Sequence, residues 1–291
     1  MVRLLGSTVI WGFSFGLIKR YLVGFDAAWV AQARLLLALL VLLPFLRLRT
    51  LTPGLAVRLL GLGALQYGVM YVTYIRAFHY LAAYQVALFT IFTPLYVVLL
   101  DELKNRRLVW RPLLAAVLAV VGCGIIVFQG PGPEKSLTGF LLVQVSNLCF
   151  AFGQLAYGRL KKRFSFSSDR RVFALLYAGG FGIATAWQMA CRGLDWPLLG
   201  FSQLLVVVYL GVIGSGLGFY LWNTGATRVG AGILAVFNNL KVPLAVLVSL
   251  AVFGETTRPL PFLFGGAALA AALGLAWPRR GKNVRTDPGT G

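Results

Sequence analysis

Residues 231–252 read AGILAVFNNLKVPLAVLVSLAV, an apolar run with a short polar cluster near its middle. The hydrocarbon core of a membrane is about 30 Å thick, and an α-helix that rises 1.5 Å per residue needs roughly 20 residues to cross it. This run is therefore long enough to span a bilayer. Because hydrocarbon provides no hydrogen-bond partners for backbone N–H and C=O groups, we expect the run to be helical.

Nine further runs of this kind occur in the 291 residues, of which 59% are hydrophobic and 12% charged. A soluble domain has about 25% charged residues, so this chain has too few to cover a water-facing surface. That composition excludes a soluble enzyme, a disordered chain and a disulfide scaffold. We predict an all-α integral membrane protein with ten transmembrane helices at 4–22, 27–46, 58–79, 82–101, 111–129, 138–159, 171–190, 203–223, 231–252 and 260–278.

The basic residues indicate how these spans are oriented. The chain has 27 Lys and Arg residues against 8 Asp and Glu residues. With a cytoplasmic N-terminus, 19 of the basic residues flank spans on the cytoplasmic side, six lie outside, and Arg34 and Lys241 lie within spans. Basic flanks are retained in the cytoplasm, so we predict a multi-pass protein of the cytoplasmic (inner) membrane with both termini inside and a disordered cytoplasmic tail at 279–291. The charge then faces the lipid bilayer's anionic surface, and no nucleic-acid partner is predicted.

An internal repeat relates the fourth and ninth spans. The string PLYV at 94–97 matches PLAV at 243–246, and each is preceded by an Ala-x-Phe string, at 87–89 and 235–237. The two spans are five helices apart, and five is odd, so the second half enters the membrane in the opposite orientation. Inverted repeats are typical of secondary transporters, which bind substrate between the halves near the midplane. We therefore predict two five-helix repeats, at 1–130 and 131–278.

Lys241 is the first candidate for binding a substrate. It lies about ten residues, or roughly 15 Å, into its span, too deep to reach the surface easily. Asn238 and Asn239 precede it, and Pro243 removes a backbone hydrogen bond and should expose a carbonyl. Ionisable residues inside a membrane are functional-site candidates by default. The alternative is that helix-end carbonyls satisfy this lysine and its role is structural.

Further candidate substrate-binding residues are polar or aromatic side chains on other spans. The amides could instead connect helices, the aromatic rings could serve packing, and the arginine could be a structural partner or a gate. These candidates are Gln144, Asn147 and Gln154 in helix 6, Tyr67, Tyr71 and Tyr74 in helix 3, Tyr220 in helix 8, Trp11 and Ser14 in helix 1, and Arg34 in helix 2.

No Asp or Glu lies inside any predicted span, whereas a lysine does. A carrier that binds a cation on a buried carboxylate needs that carboxylate at depth, so we favour a substrate with a carboxylate or another anionic group. The sequence has no nucleophile–base pair, metal-ligand cluster or nucleotide motif. We therefore predict neither enzymatic activity nor a metal or cofactor.

The ordered set of polar positions resembles the EamA family of the drug/metabolite transporter superfamily. The resemblance rests on Trp11-Gly12 with Lys19, Arg34, the pair Asp101-Glu102 that ends helix 4, and the string FGE at 253–255 that closes helix 9. Helix 4 departs from the family by having Leu100-Asp101-Glu102 where Gly-Glu is usual. The resemblance implies a cytoplasmic-membrane carrier that works by alternating access, most often as an exporter.

Together these features predict a secondary transporter that exports small amino-acid-like or anionic metabolites. Two alternatives stay open: a multidrug carrier for lipophilic cations, and a non-transporting membrane scaffold or lipid flippase. The sequence leaves substrate identity, direction, coupling ion and oligomeric state, monomer or homodimer, undetermined.

Overall fold

The computed structural model describes residues 1–22, 24–77, 79–81, 86, 89–106, 109–127, 137–166, 168–191, 197–253 and 259–277, and these contain helices and no strand. The all-helical prediction is confirmed. Ten helices occur within the described residues. They are α1 (Val2–Tyr21), α2 (Ala27–Leu42), α3 (Pro53–Ala77), α4 (Thr93–Asn105), α5 (Trp110–Val127), α6 (Leu137–Phe164), α7 (Phe173–Cys191), α8 (Phe201–Ala226), α9 (Ala231–Phe253) and α10 (Pro259–Ala276).

Local sequence signals account for several helix starts. Asp26 precedes α2, and its carboxylate accepts hydrogen bonds from the backbone N–H groups of Ala28 and Trp29 at 2.8 and 3.1 Å. Thr52 precedes α3, and its hydroxyl accepts from Leu55 N at 3.4 Å, with Pro53 at the first helical position. Such caps satisfy backbone donors that have no partner inside the helix.

Helix α4 differs from its predicted span. The expected helix over 82–101 is interrupted by a turn at Ile91 and Phe92, and α4 begins at Thr93 and continues to Asn105. Pro94 causes this start, because proline has no N–H to continue a helix from the preceding turn and its ring clashes with that turn. Residues 82–85 and 87–88 of this predicted span lie outside the described residues.

Two helices contain π-helical segments that the hydropathy pattern does not indicate. In α3 the segment is Ala64–Val69, and in α8 it is Tyr209–Leu217. Their backbone hydrogen bonds run from residue i to i+5, and such segments are frequent at functional sites. They belong to the third helix of the first predicted repeat and the third helix of the second.

Close helix contacts depend on small residues. Gly122 of α5 and Gly265 of α10 face each other so closely that a Cβ on either would meet the other's carbonyl oxygen. Small residues that let backbones approach are typical of helix packing in membranes.

Four helices are long and apolar enough to cross a membrane by length and composition, in the windows Ala28–Phe45, Pro53–Ala77, Leu137–Phe164 and Phe201–Ala226. Shorter apolar helices occupy Trp110–Ile126, Ala231–Leu244 and Leu260–Ala276. The predicted tail at 279–291, Gly254-Glu255 and the side chain of Lys19 lie outside the described residues.

Candidate substrate site

A cavity of about 140 Å³ lies among α1, α2, α3, α4, α6, α8 and α9. Two basic side chains, five aromatic rings and several hydroxyl groups line it, and its described lining contains no carboxylate. The lining residues are Trp11, Ser14, Ile18, Arg34, Met70, Tyr71, Tyr74, Thr90, Thr93, Ser146, Asn147, Phe150, Phe219 and Lys241.

Lys241 reaches this cavity from α9. Its Nζ lies 5.9 Å from the ring centroid of Trp11 and 5.9 Å from that of Phe150. These distances are within the range of cation–π attraction. No described residue accepts a hydrogen bond from this ammonium group or forms an ion pair with it. The donors of Lys241 are therefore available to a ligand.

Arg34 is held more firmly by its surroundings. Its Nε donates to the hydroxyl oxygen of Ser215 at 3.1 Å, and its Cζ lies 5.1 Å from the ring centroid of Tyr71. Ser215 belongs to the π-helical segment of α8, and the Tyr71 hydroxyl lies 3.4 Å from the Ser215 hydroxyl. The side chain is 9% exposed and borders the cavity. This geometry gives Arg34 a fixed position at the cavity wall.

Aromatic side chains form the wall beside Lys241. Trp11 contacts Phe150 and Phe219 with ring centroids 6.1 and 5.1 Å apart, both edge to face. The indole N–H of Trp11 donates to Gly214 O at 2.9 Å, within the π-helical segment of α8. The indole is thus anchored to backbone while its ring remains at the cavity.

Hydroxyl and amide groups meet the cavity where α4 begins. Thr93 donates to Thr90 O at 2.8 Å and to Asn147 Oδ1 at 3.1 Å. Asn147 Nδ2 in turn donates to Phe89 O at 2.8 Å. The interrupted helix therefore presents polar groups to the cavity, while the carbonyls of Thr90 and Phe89 still accept hydrogen bonds. Buried polar groups in proteins are usually paired in this way.

Seven of the thirteen predicted site residues meet at this cavity. They are Trp11, Ser14, Arg34, Tyr71, Tyr74, Asn147 and Lys241. The other six, Asn238, Asn239, Gln144, Gln154, Tyr67 and Tyr220, do not line it.

The two asparagines near Lys241 do not line the cavity, and their amides bond to backbone carbonyls. Asn239 Nδ2 donates to the backbone carbonyls of Ile91 at 2.9 Å and Ala119 at 3.2 Å. Asn238 Nδ2 donates to Leu234 O within its own helix at 2.9 Å. The amide of Asn239 thus connects α9 to α5 and to the turn before α4.

The remaining predicted residues connect helices around the cavity. Gln144 accepts from the Tyr96 hydroxyl at 3.0 Å, and Gln154 accepts from the indole N–H of Trp222 at 2.7 Å. Tyr67 is fully buried and stacks on Tyr177, with ring centroids 5.2 Å apart.

Tyr220 is partly buried, and its ring packs edge to face on Phe173. Its place is therefore at a helix contact and not at the cavity.

Sequence reasoning did not find half of the lining. Thr93 carried a signal, since it directly precedes the proline that starts α4, where backbone polar groups become free. Phe150 and Phe219 lie in apolar stretches and carried none. The missed lining residues are Ile18, Met70, Thr90, Thr93, Ser146, Phe150 and Phe219.

Comparison with known proteins identifies the fold and family. The model of the EamA-like transporter family matches residues 1–128 and again residues 137–277. The chain belongs to the EamA-like transporter family. This EamA-like chain is therefore a transporter of the drug/metabolite type and not an enzyme. It is a multi-pass membrane protein, and its substrate is a small molecule.

Relatives of this EamA-like transporter match over nearly its full length. The biotin transporter of Escherichia coli is 38% identical over 287 residues, which cover 94% of this chain and 91% of the relative. The probable biotin transporter of Pseudomonas aeruginosa is 40% identical over 276 residues, covering 94% and 96%. An uncharacterized transporter of Archaeoglobus fulgidus is 29% identical over 256 residues, covering 88% of each chain.

A solved crystal structure matches this EamA-like transporter with a TM-score of 0.78 at 18% identity, covering 94% of this chain and 96% of the other. At that identity the likeness concerns the fold alone.

Proposed function

We propose that this protein carries biotin, or a closely related monocarboxylate, across the membrane. The single observation that carries the proposal is the Lys241 ammonium group, which faces a cavity with a second cation and no carboxylate in its described lining. A cation removed from water without a partner is costly. A carboxylate ligand would offset that cost, whereas a cationic ligand would increase it.

The chemistry of the cavity suits the parts of biotin. Biotin has a carboxylate on a flexible apolar chain and a ureido ring fused to a thioether ring. The carboxylate would bind Lys241, and the fused rings would pack on Trp11 and Phe219, since sulfur packs favourably on aromatic rings. The ureido group both donates and accepts hydrogen bonds, as do Thr93 and Asn147. The names of the relatives from Escherichia coli and Pseudomonas aeruginosa support this choice among carboxylates.

The proposed mechanism is alternating access between two inverted five-helix repeats. Two separate family matches, at 1–128 and 137–277, and π-helical segments in the third helix of each half support this division. The 19 basic residues on one side support cytoplasmic termini in the inner membrane. Fluorescent-protein and phosphatase fusions at the C-terminus test this orientation, since only the first should be active.

Uptake of radiolabelled biotin into proteoliposomes tests the substrate and the site. Lys241→Ala should lower transport about tenfold or more, because a hydrogen bond to a charged group contributes about 1.5–3 kcal/mol. Lys241→Arg should retain part of the activity, since it keeps the charge. Lys162→Ala, which removes an exposed lysine, is the matched control and should transport as the wild type does.

Substrate analogues test whether Lys241 binds the carboxylate of biotin or its fused rings. Biotin methyl ester should compete with biotin much less well for the wild type, and the Lys241→Ala variant should lose that discrimination. Equal competition by ester and acid would contradict the role of Lys241. Transport of methyl viologen in place of biotin would instead support a carrier of lipophilic cations.

Export remains the expected direction from the family resemblance. Proteoliposomes preloaded with biotin measure exit from the vesicle, and empty ones given biotin outside measure entry, in preparations where the orientation of the protein is known. Faster transport from the cytoplasmic face of the protein to its outer face than in the opposite direction would support export. Faster transport from the outer face to the cytoplasmic face would contradict it.

A further inference from the structure

A second cavity, separate from the substrate site, lies where α3 begins and α4 and α6 end. This cleft has a volume of about 450 Å³, and four basic side chains, Arg58, Lys104, Arg159 and Arg163, line it. None of them touches the central cavity. We name it the basic cleft.

The basic cleft gathers positive charge without matching negative charge. Of its four cations, only Arg159 has a described carboxylate within 4 Å, where Nη2 lies 3.6 Å from Oδ1 of Asp101. That Nη2 is buried and has no hydrogen-bond partner among the described residues. Lys161, on the same helix but outside the cleft, is by contrast fully paired with Asp169 at 2.6 Å.

Two of these cations lie beside the same aromatic ring, that of Phe164. The guanidinium carbons of Arg58 and Arg163 each lie 5.7 Å from the centroid of its ring. Two like charges near one ring repel each other, and the attraction of each cation for the ring is weak at an exposed site, so it offsets this repulsion only in part. An anion bound near both guanidinium groups would reduce the repulsion that is left.

The rest of the basic cleft is apolar and runs along the membrane-spanning part of the helices. On α6 the lining continues from Arg163 through Leu160 to Phe152, a distance of about 16 Å at 1.5 Å per residue. On α3 it continues from Arg58 to Leu65. Phe152 is 40% exposed, and Gly61 faces open space, so that a Cβ there would meet nothing within 4 Å.

We infer that the basic cleft binds an anionic glycerophospholipid. The phosphate lies among the four cations, and one acyl chain lies along the apolar wall. A soluble anion matches only the charged end, and a zwitterionic lipid adds a cation where four are already present. Basic pockets between membrane helices are known to bind lipid headgroups of this class.

Native mass spectrometry of the detergent-purified protein tests the inference, with dioleoylphosphatidylglycerol and dioleoylphosphatidylcholine as probes. The wild type should bind the phosphatidylglycerol at least tenfold more tightly. Arg58→Gln combined with Arg163→Gln should weaken that binding about 25-fold, since each basic residue near an anionic lipid contributes about fivefold. Lys162→Gln combined with Arg170→Gln removes the same charge outside the cleft and should bind as the wild type does.

A second variant tests the acyl-chain part without changing charge. Gly61→Phe fills the apolar groove from a position with free space, so folding should be retained and phosphatidylglycerol binding should fall severalfold. Millimolar inorganic phosphate should not displace the lipid from the wild type. Equal affinity for the two lipids, equal loss in the control pair, or displacement by phosphate together with unchanged binding in Gly61→Phe would each overturn the inference.

Discussion

Helices α4 and α9 contain the same Pro-Leu-x-Val string, yet their prolines have different consequences. At Pro94 the helix is interrupted, and α4 starts one residue earlier, at Thr93. At Pro243 the helix continues, and α9 runs unbroken from Ala231 to Phe253. A proline in a membrane helix is tolerated where other groups satisfy the freed backbone atoms. The two helices therefore differ in the groups that satisfy these backbone atoms.

The turn before α4 is capped by side chains from two other helices. The carbonyls of Phe89 and Ile91 accept from Asn147 of α6 and Asn239 of α9 at 2.8 and 2.9 Å. In α9, Pro243 leaves one carbonyl without its usual partner, that of Asn239, and the Cys123 thiol donates to it at 3.3 Å. An interruption needs several external donors, whereas a proline inside a continuous helix needs one.

The largest expected effect comes from Asn239→Ala. This change leaves the buried carbonyl of Ile91 without a described donor, which costs about 1–3 kcal/mol. It also removes a second donor from Ala119 O, which keeps its helical partner inside α5, for about 0.5–1.5 kcal/mol more. We expect the free energy of unfolding to fall by about 2–4 kcal/mol. Thermal unfolding of the protein in nanodiscs measures this change.

Asn238→Ala is its matched control, one residue away. Asn238 bonds only to Leu234 O, and its Oδ1 has no described partner. Its removal should cost about 1 kcal/mol or less. If the two variants were equally stable, Asn239 would have no special part in capping the turn.

A smaller effect is expected from Asn147→Ala. Phe89 O then loses its 2.8 Å donor, but Gln144 Nε2 remains 3.4 Å away and can replace it in part. The free energy of unfolding should fall by about 1–2 kcal/mol, with lower biotin transport because the amide also borders the cavity. Ser146→Ala alters the same cavity wall without touching the turn, so its unfolding temperature should stay near that of the wild type. A larger loss for Ser146 than for Asn147 would refute this account.

The smallest effect concerns the single donor to α9. Cys123→Ser keeps a donor for Asn239 O, and Cys123→Ala removes it, while both lose the volume of the sulfur. The serine variant should be more stable by about 1 kcal/mol. The same pair of changes at Cys149, a buried thiol for which no hydrogen bond is described, should differ little. A similar difference at both positions would mean that the Cys123 contact contributes nothing.

Length and apolar composition were sufficient to predict that the chain is helical and where most of its helices lie, but the predicted start of the fourth helix was wrong. The sequence also singled out Lys241, Arg34 and Trp11, which line the central cavity, since charged or amphipathic residues at depth are rare in lipid. It did not distinguish Asn239 from Lys241, two residues apart on one helix, because their roles depend on which neighbour lies nearby. Asn239 meets the turn before α4, and only the packing of α9 against that turn shows this.

The three candidate tyrosines of α3 illustrate the remaining difficulty. In an α-helix, residues three or four apart share a face, so Tyr67, Tyr71 and Tyr74 would point the same way. The π-helical segment Ala64–Val69 changes that spacing, so that Tyr71 and Tyr74 reach the cavity while Tyr67 packs on Tyr177. No composition signal marks this segment. Its Gln66 pairs with Asn223 of α8 through two hydrogen bonds between the side-chain amides, at 2.9 and 3.0 Å.

The two π-helical segments also indicate where homologous genes can vary in length. Each has wide turns closed by hydrogen bonds from residue i to i+5, so it holds one residue more than α-helical turns would. Deleting one codon within 64–69 or 209–217 would let the helix close into α-helical turns, and the side chains on either side of the segment would keep their faces. Only side chains inside the segment would shift, among them Ser215, which meets Arg34, and Gln66, which pairs with Asn223. An alignment gap of one residue at either place would thus mark a relative that keeps the helix positions and has lost one of these polar contacts.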